Sequence, residues 1–130
     1  MQKTEIFEQM RPLLADSLAL KPDQISPQSR LIDDLGADSL DFIDIIFSLE
    51  RKFGIKMRDG ELDFLSRLDF SSPQVMRQGF VTLETVVQLK TWLPDLGRVP
   101  DPTKVTPGEI FSCITVNTLC VLIQRRLDRT

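Results

Sequence analysis

The chain contains no histidine and no tyrosine among its 130 residues. The absence of histidine removes the usual general base of enzyme catalysis and the commonest metal ligand. No apolar stretch comes near the roughly 20 residues that a membrane-spanning helix needs, and no apolar signal segment stands at the N-terminus. We therefore expect no metal site, no membrane span and a cytoplasmic location.

Clusters of basic residues are also missing, and the formal net charge is −3. Nucleic-acid binding calls for clustered lysine and arginine, so a nucleic-acid partner is not expected. Acidic residues are instead concentrated between Asp33 and Glu50, where no lysine or arginine occurs. This local negative charge either steers a basic partner surface towards the protein or is a solvated helix face.

Cysteine is scarce, with Cys113 and Cys120 as the two copies in the chain. Their spacing of seven places them on one face if the segment is helical, and two such residues cannot close a disulfide within one helix. We expect buried, unreactive thiols rather than a redox pair.

Apolar residues recur at three- and four-residue steps over residues 3–18, which is the pattern of an amphipathic helix. Thr4 is a candidate N-cap for this helix. Pro12 is expected to kink it, because proline removes an internal hydrogen bond. Residues 19–37 are predicted to form a loop, since two prolines interrupt them.

A second helix is predicted over residues 39–53, with Asp38 or Ser39 as its cap and Gly54 just after its end. Its apolar residues form two stripes, of which the first comprises Phe42, Ile45, Ile46, Leu49 and Phe53 and the second comprises Leu40, Ile43 and Phe47. A helix at the edge of a small domain needs one buried stripe. The second stripe therefore calls for a partner, a ligand or additional core.

The remaining patterns are less regular but still favour helices. Three stretches are predicted to be helices, namely residues 61–68, 82–93 and 115–127, and residues 71–79 are predicted to form a turn with a brief helix. Residues 94–108 are rich in proline and are predicted to be a connecting loop, which ends in a capping box at residues 106–109. Because no convincing β alternation occurs, the fold class is predicted to be all-α.

One short segment carries the candidate chemistry. It places Ser39 in the first turn of the second helix, directly after a glycine-containing loop. The free N–H groups and the positive end of a helix favour a phosphate there, and Asp38 and Asp41 could hold a divalent cation brought by a modifying enzyme. No base is placed to activate the hydroxyl as a nucleophile. Ser39 therefore fits a substrate of modification rather than a catalyst, although the residues alone favour a plain helix cap.

The sequence D-L-G-A-D-S-L-D at residues 34–41 resembles the attachment motif of acyl carrier proteins. The resemblance extends over roughly residues 3–57, in the order and spacing of both helices and the loop between them. In that family the serine of the motif receives 4′-phosphopantetheine from coenzyme A through a phosphodiester. The resemblance thus implies a helical carrier without catalysis of its own, with Ser39 as the attachment site and Asp38 and Leu40 beside it.

The resemblance also implies that the start of the second helix faces partner enzymes. The positions that match the family's recognition surface are Asp38, Leu40, Asp41, Ile43, Asp44, Phe47 and Glu50. An acidic surface would meet a basic patch and give fast, weak encounters, whereas solvated surface or additional core is the alternative. The implied partners are a phosphopantetheinyl transferase and the enzymes that load and transfer acyl groups, with an acyl chain as cargo and a monomeric carrier.

Two features depart from the family pattern. Arg51 and Lys52 follow Glu50 at positions where common members are often acidic, which favours dedicated partners. The chain is also longer than common carriers, and long middle segments resemble those of specialised bacterial carriers.

The extra length is expected to lie within a single carrier domain over residues 1–130. In this division residues 1–57 form the core half with the motif, residues 58–112 an expanded middle, and residues 113–130 the last helix. The rival division makes the helix over residues 82–93 the family's last helix and the remainder a C-terminal extension.

We expect the arm to hold acyl groups as thioesters for fatty-acid or specialised lipid biosynthesis. A carrier of peptidyl or polyketide units is one alternative. A helical adaptor that kept the carrier fold without the arm is the other.

Overall fold

The computed structural model describes residues 2–57 and 68–128, apart from the side chain of Ser39. The predicted helix over residues 61–68 therefore lies, except for Leu68, outside the described residues. Across the described part the chain is mainly helical, and its one sheet is a two-stranded hairpin. The predicted all-α class is confirmed.

Helix α1 spans Lys3–Leu18 and buries the apolar residues that set its period, namely Ile6, Phe7, Met10 and Leu14. The predicted cap at Thr4 is wrong, because the helix begins one residue earlier and Gln2 is its extended N-cap. Pro12 lies inside the helix, which continues past it to Leu18. The expected kink at this proline stays a prediction.

Helix α2 spans Ser39–Phe53, with the predicted bounds. Asp38 is its N-cap, and Gly54 ends it in the left-handed conformation, with φ of 65° and its N–H donating to the Glu50 carbonyl. The first predicted stripe faces the core, where Ile45, Ile46 and Leu49 are buried and Phe42 and Phe53 are partly buried.

Replacing Gly54 by alanine should destabilise the protein by about 1 kcal/mol, because a Cβ is strained at positive φ. Gly108 is a matched control, since it lies inside a helix without positive φ and an added Cβ would meet only the Thr106 hydroxyl, at 3.9 Å. Gly108→Ala should leave stability unchanged or raise it by about 0.5 kcal/mol. Urea unfolding of both variants measures the difference, and equal midpoints would contradict the assignment of Gly54 as a strained cap.

The middle of the chain contains a short hairpin in which β1, Met76–Arg77, pairs antiparallel with β2, Phe80–Val81. Gln78 and Gly79 form its turn, with φ of 54° and 87°, and such positive values suit a tight hairpin turn. The turn predicted within residues 71–79 is confirmed, but the brief helix predicted with it is wrong. Strands of two residues are too short to show alternation in a sequence.

The predicted helix over residues 82–93 is confirmed as α3, Leu83–Lys90, with Thr82 as its N-cap. The proline-rich stretch after it is not all loop, because Pro94–Arg98 form a 3-10 turn. The predicted capping box is confirmed at the start of α4, Pro107–Ser112, where Thr106 and Glu109 bond each other's backbone N–H groups.

Helix α5 spans Val116–Asp128, close to the predicted bounds. It packs against α1, which also packs against α2, so α1 contacts both of the other long helices. The inward residues predicted for α5 are buried at Val116, Leu119, Cys120 and Ile123, and Leu127 is partly buried against the core. No helix within residues 2–57 and 68–128 is long and apolar enough to cross a membrane.

The two cysteines do not share a helix, because Cys113 is the C-cap of α4 and Cys120 lies within α5. The expected common helical face is therefore wrong, but both thiols are free and buried as predicted. Burial raises the pKa of the Cys113 thiol and raises the pKa of Cys120 to about 11.

Neither thiol should react when the native protein is treated with iodoacetamide at about pH 8, because the reactive thiolate forms only above the raised pKa. In urea both side chains become exposed, and the mass should rise by two carbamidomethyl groups. Intact mass spectrometry measures both states. Alkylation of the native protein at either position would contradict the burial of that thiol.

Candidate functional site

The loop before α2 is fixed to the core by apolar side chains. Leu31, Leu35 and Ala37 are buried, and the Ala37 N–H donates to the Leu31 carbonyl at 2.9 Å. Gly36 lies between two of these anchors with φ of 71°, a value that suits glycine. The loop therefore holds the start of α2 in a defined place on the protein.

Polar contacts tie the same loop to α4. The Arg30 guanidinium donates to the Ser112 hydroxyl at 3.1 Å and forms an ion pair with Asp33 at 3.5 Å. Ser112 also donates to Asp33 in a short hydrogen bond. Asp34 accepts the Arg30 N–H at 2.8 Å. Two acids of the acidic stretch thus bind within the molecule, which the sequence did not predict.

The start of α2 is a reciprocal capping box. Asp38 accepts the Asp41 N–H at 2.8 Å, and Asp41 accepts the Asp38 N–H at 3.1 Å. Ser39 follows the cap as the first residue of the helix. The amides of Ser39 and Leu40 have no intrahelical acceptor, because the first turn of any helix lacks one. They lie at the positive end of the helix, which favours a phosphate group.

Asp38 and Asp41 stand on either side of Ser39 in the sequence, as predicted, and each holds a backbone N–H of the other. The cap prediction is confirmed for Asp38 rather than Ser39. Within the described residues, no group of three or more acids or cysteines is arranged to hold a metal ion.

The second apolar stripe of α2 faces outward. Leu40 is 71% exposed, Ile43 is 49% exposed and Phe47 is 41% exposed. Asp38 and Asp44 are exposed beside them, while Asp41 and Glu50 are partly exposed. We call these seven residues the outer face of α2. The interpretation of the stripe as additional core is wrong.

Glu50 has a structural contact that its position in the acidic stretch did not predict. Its carboxylate accepts the Met57 N–H at 2.9 Å, across seven residues of chain. This bond holds the segment that leaves α2 against the end of the helix. A role for Glu50 in partner recognition remains a prediction.

Comparisons with known proteins agree with the motif. The family described as "Phosphopantetheine attachment site" matches residues 8–69. An acyl carrier protein of Campylobacter hominis is 43% identical over 61 residues, which are 47% of this chain and 77% of that protein. An acyl carrier protein of Thermosynechococcus vestitus is 35% identical over 79 residues, covering 58% of this chain and 98% of that protein.

A third relative bears a separate designation, "Acyl carrier protein AcpXL", and comes from Mesorhizobium japonicum. It is 47% identical over 51 residues, which are 39% of this chain and 55% of that protein. The family match and these relatives imply a covalently attached 4′-phosphopantetheine.

Proposed function

The chain belongs to the acyl carrier protein family, and on that premise we propose that Ser39 bears the arm and that the protein carries acyl groups in fatty-acid or specialised lipid biosynthesis. The observation that carries this proposal is the position of Ser39 as the first residue of α2, directly after an exposed N-cap. The arm supplies a terminal thiol on which an acyl group is held as a thioester.

The residues around Ser39 fit the attached phosphate. Asp38 and Leu40 on either side are exposed, so the chain at this point is open to a transferase. The helix end contributes a positive potential and amides without an intrahelical acceptor. The Asp38 and Asp41 carboxylates hold the first turn in shape through the capping box, which keeps Ser39 at the tip of the helix.

Attachment requires the Ser39 Oγ to form a bond to phosphorus while the phosphoanhydride bond of coenzyme A breaks and adenosine 3′,5′-bisphosphate leaves. The hydroxyl proton must pass to a base. The chain has no histidine, so we propose that the transferase supplies that base. The relatives are carriers rather than catalysts, and we propose no catalysis by this chain itself.

We propose that the outer face of α2 meets the transferase and the enzymes that load and transfer acyl groups. Its exposed apolar residues offer a contact surface, and its acids offer attraction to basic partner groups. The protein would act as a cytoplasmic monomer that presents this face to each partner in turn.

We also propose that the chain is a single carrier domain in which α5 is the family's last helix. Its packing on α1 supports this division. Further support comes from backbone bonds between the loop before α2 and the start of α5, in which Leu31 donates to Ile114 and Val116 donates to Ser29, both at 3.0 Å. Residues 58–112 would then be an expanded middle.

The test is reconstitution with purified components. The protein without an arm is incubated with coenzyme A and a phosphopantetheinyl transferase, and then with a fatty acid and an acyl-loading enzyme. Intact mass should rise by one arm and then by one acyl group. No mass gain with several transferases would favour an adaptor without an arm, and loading only with aminoacyl or polyketide units would favour the other carrier classes.

A further inference from the structure

The charge on the exposed side of α2 changes sign along the helix. Leu40, Asp44, Phe47 and Arg51 follow at three- and four-residue steps and therefore share one side. The acids lie at the start of the helix, whereas Arg51 and Lys52 lie exposed in its last turn. At about 1.5 Å of rise per residue, Asp44 and Arg51 are about 10 Å apart along this side, and the extreme pair, Asp38 and Lys52, is about 20 Å apart.

A third cation joins the basic end through the fold. The bond from the Met57 N–H to Glu50 turns the chain back after α2 and brings Lys56 beside the helix. Phe47, Glu50, Arg51, Ile55 and Lys56 line a surface groove of about 370 Å³. The basic end, defined as Arg51, Lys52 and Lys56, thus borders the exposed apolar ring of Phe47.

None of these three cations forms an ion pair with another described residue. The ion pairs found within residues 2–57 and 68–128 involve Arg11, Arg30 and Arg98 instead. Glu50, which precedes Arg51 in the sequence, is partly buried and accepts a backbone N–H. The negative end of the α2 dipole offsets only about half a unit charge. Among the described residues, the basic end therefore carries positive charge that no ion pair neutralises.

We propose that the basic end docks an acidic element on the surface of the partner enzyme, while the acidic start of α2 docks a basic element. This inference rests on the proposed function and names the chemistry of the partner, which is a surface with two patches of opposite sign about 10–20 Å apart. Two opposed patches fix the orientation of α2 on the partner. They also repel an enzyme whose docking surface is basic throughout, since like charges in contact are costly.

A defined probe tests the basic end without any partner. A hexaglutamate peptide is titrated into the ¹⁵N-labelled protein, and amide shifts are followed by NMR. We expect saturable shifts centred on Phe47, Arg51, Lys52 and Lys56. The triple variant Arg51→Gln, Lys52→Gln and Lys56→Gln should lose them. The matched triple variant Lys21→Gln, Lys90→Gln and Lys104→Gln removes three exposed cations elsewhere and should keep them.

The same two variants are then compared as arm-bearing proteins with an acyltransferase that uses the wild-type protein. The variant at the basic end should lower kcat/KM at least about tenfold and flatten its dependence on salt, because it removes electrostatic attraction. The matched variant should stay within about twofold of wild type. Equal losses in both variants, no loss in the first, or peptide shifts spread evenly over exposed lysines would overturn the proposal.

Arm addition to wild type is measured in parallel, so that the two ideas fail separately. Absence of the arm would contradict the proposed function. If wild type gains a normal arm and the basic-end variant transfers acyl groups at an unchanged rate, only the proposal of a partner with two oppositely charged patches is contradicted.

Discussion

Replacement of Ser39 by alanine should abolish the mass gain that follows incubation with coenzyme A and a phosphopantetheinyl transferase. The mass gain should be lost completely, because the attachment motif occurs once in the sequence, at residues 34–41, and Ser39 is its only hydroxyl residue. Alanine removes the oxygen that would bond to phosphorus, and it is a good helix former at the first helical position.

The structure explains why this loss would not come from unfolding. The capping hydrogen bonds at the start of α2 are made by Asp38 and Asp41, so Ser39→Ala leaves both in place. The unfolding midpoint should therefore match that of wild type. Ser48→Ala, in the same helix, is the matched control and should gain the full mass of one arm. A mass gain in Ser39→Ala would place the arm elsewhere.

Replacement of Leu119 by alanine should cost about 2–5 kcal/mol of unfolding free energy, because it leaves a cavity in a packed core. Leu119 is fully buried in α5, the helix that packs against α1. Such a cost is a large fraction of the roughly 5–15 kcal/mol that stabilises a typical domain. Urea unfolding followed by circular dichroism measures it.

Leu83 provides the matched control, since it is the same residue type and is 49% exposed on α3. Leu83→Ala should change stability by less than about 0.5 kcal/mol.

A chain that ends after Pro94 should fail to unfold cooperatively, because it lacks α5. If that chain folds, or if Leu119→Ala is as mild as Leu83→Ala, α5 is a dispensable extension and the helix at Leu83–Lys90 becomes the family's last helix.

The sequence predicted the parts of the fold that local chemistry determines. The bounds of α2 follow from the Asp38 cap and from Gly54, where the backbone has positive φ. The buried stripe of α2 follows from apolar periodicity. The capping box at Thr106 is equally local, since its partner Glu109 lies three residues away.

Features that depend on distant pairs were missed. The contact between Arg30 and Ser112 joins residues 82 positions apart, and no local pattern signals it. The bond from Met57 to Glu50 was also missed, because a side-chain bond across seven residues of chain has no sequence pattern of its own. Thr4 was preferred as a cap by residue type, but the helix begins at Lys3, and its N-cap Gln2 makes no side-chain cap hydrogen bond.

In the candidate site, too, local features could be predicted from the sequence and features that depend on the fold could not. The position of Ser39 at the start of α2 could be predicted from the motif, and the outward direction of Leu40, Ile43 and Phe47 follows once the other stripe is assigned to the core. The sequence showed Arg51 and Lys52, but Lys56 joins them only through the chain reversal after the helix.

The most direct measurement is peptide mapping by mass spectrometry of the protein purified from its own cells, with thioesters preserved. The peptide that contains Ser39 should carry the mass of 4′-phosphopantetheine, alone or with an acyl group, and every other peptide should have its bare mass. A population in which the Ser39 peptide is wholly unmodified, or in which the arm lies on another residue, would contradict the account.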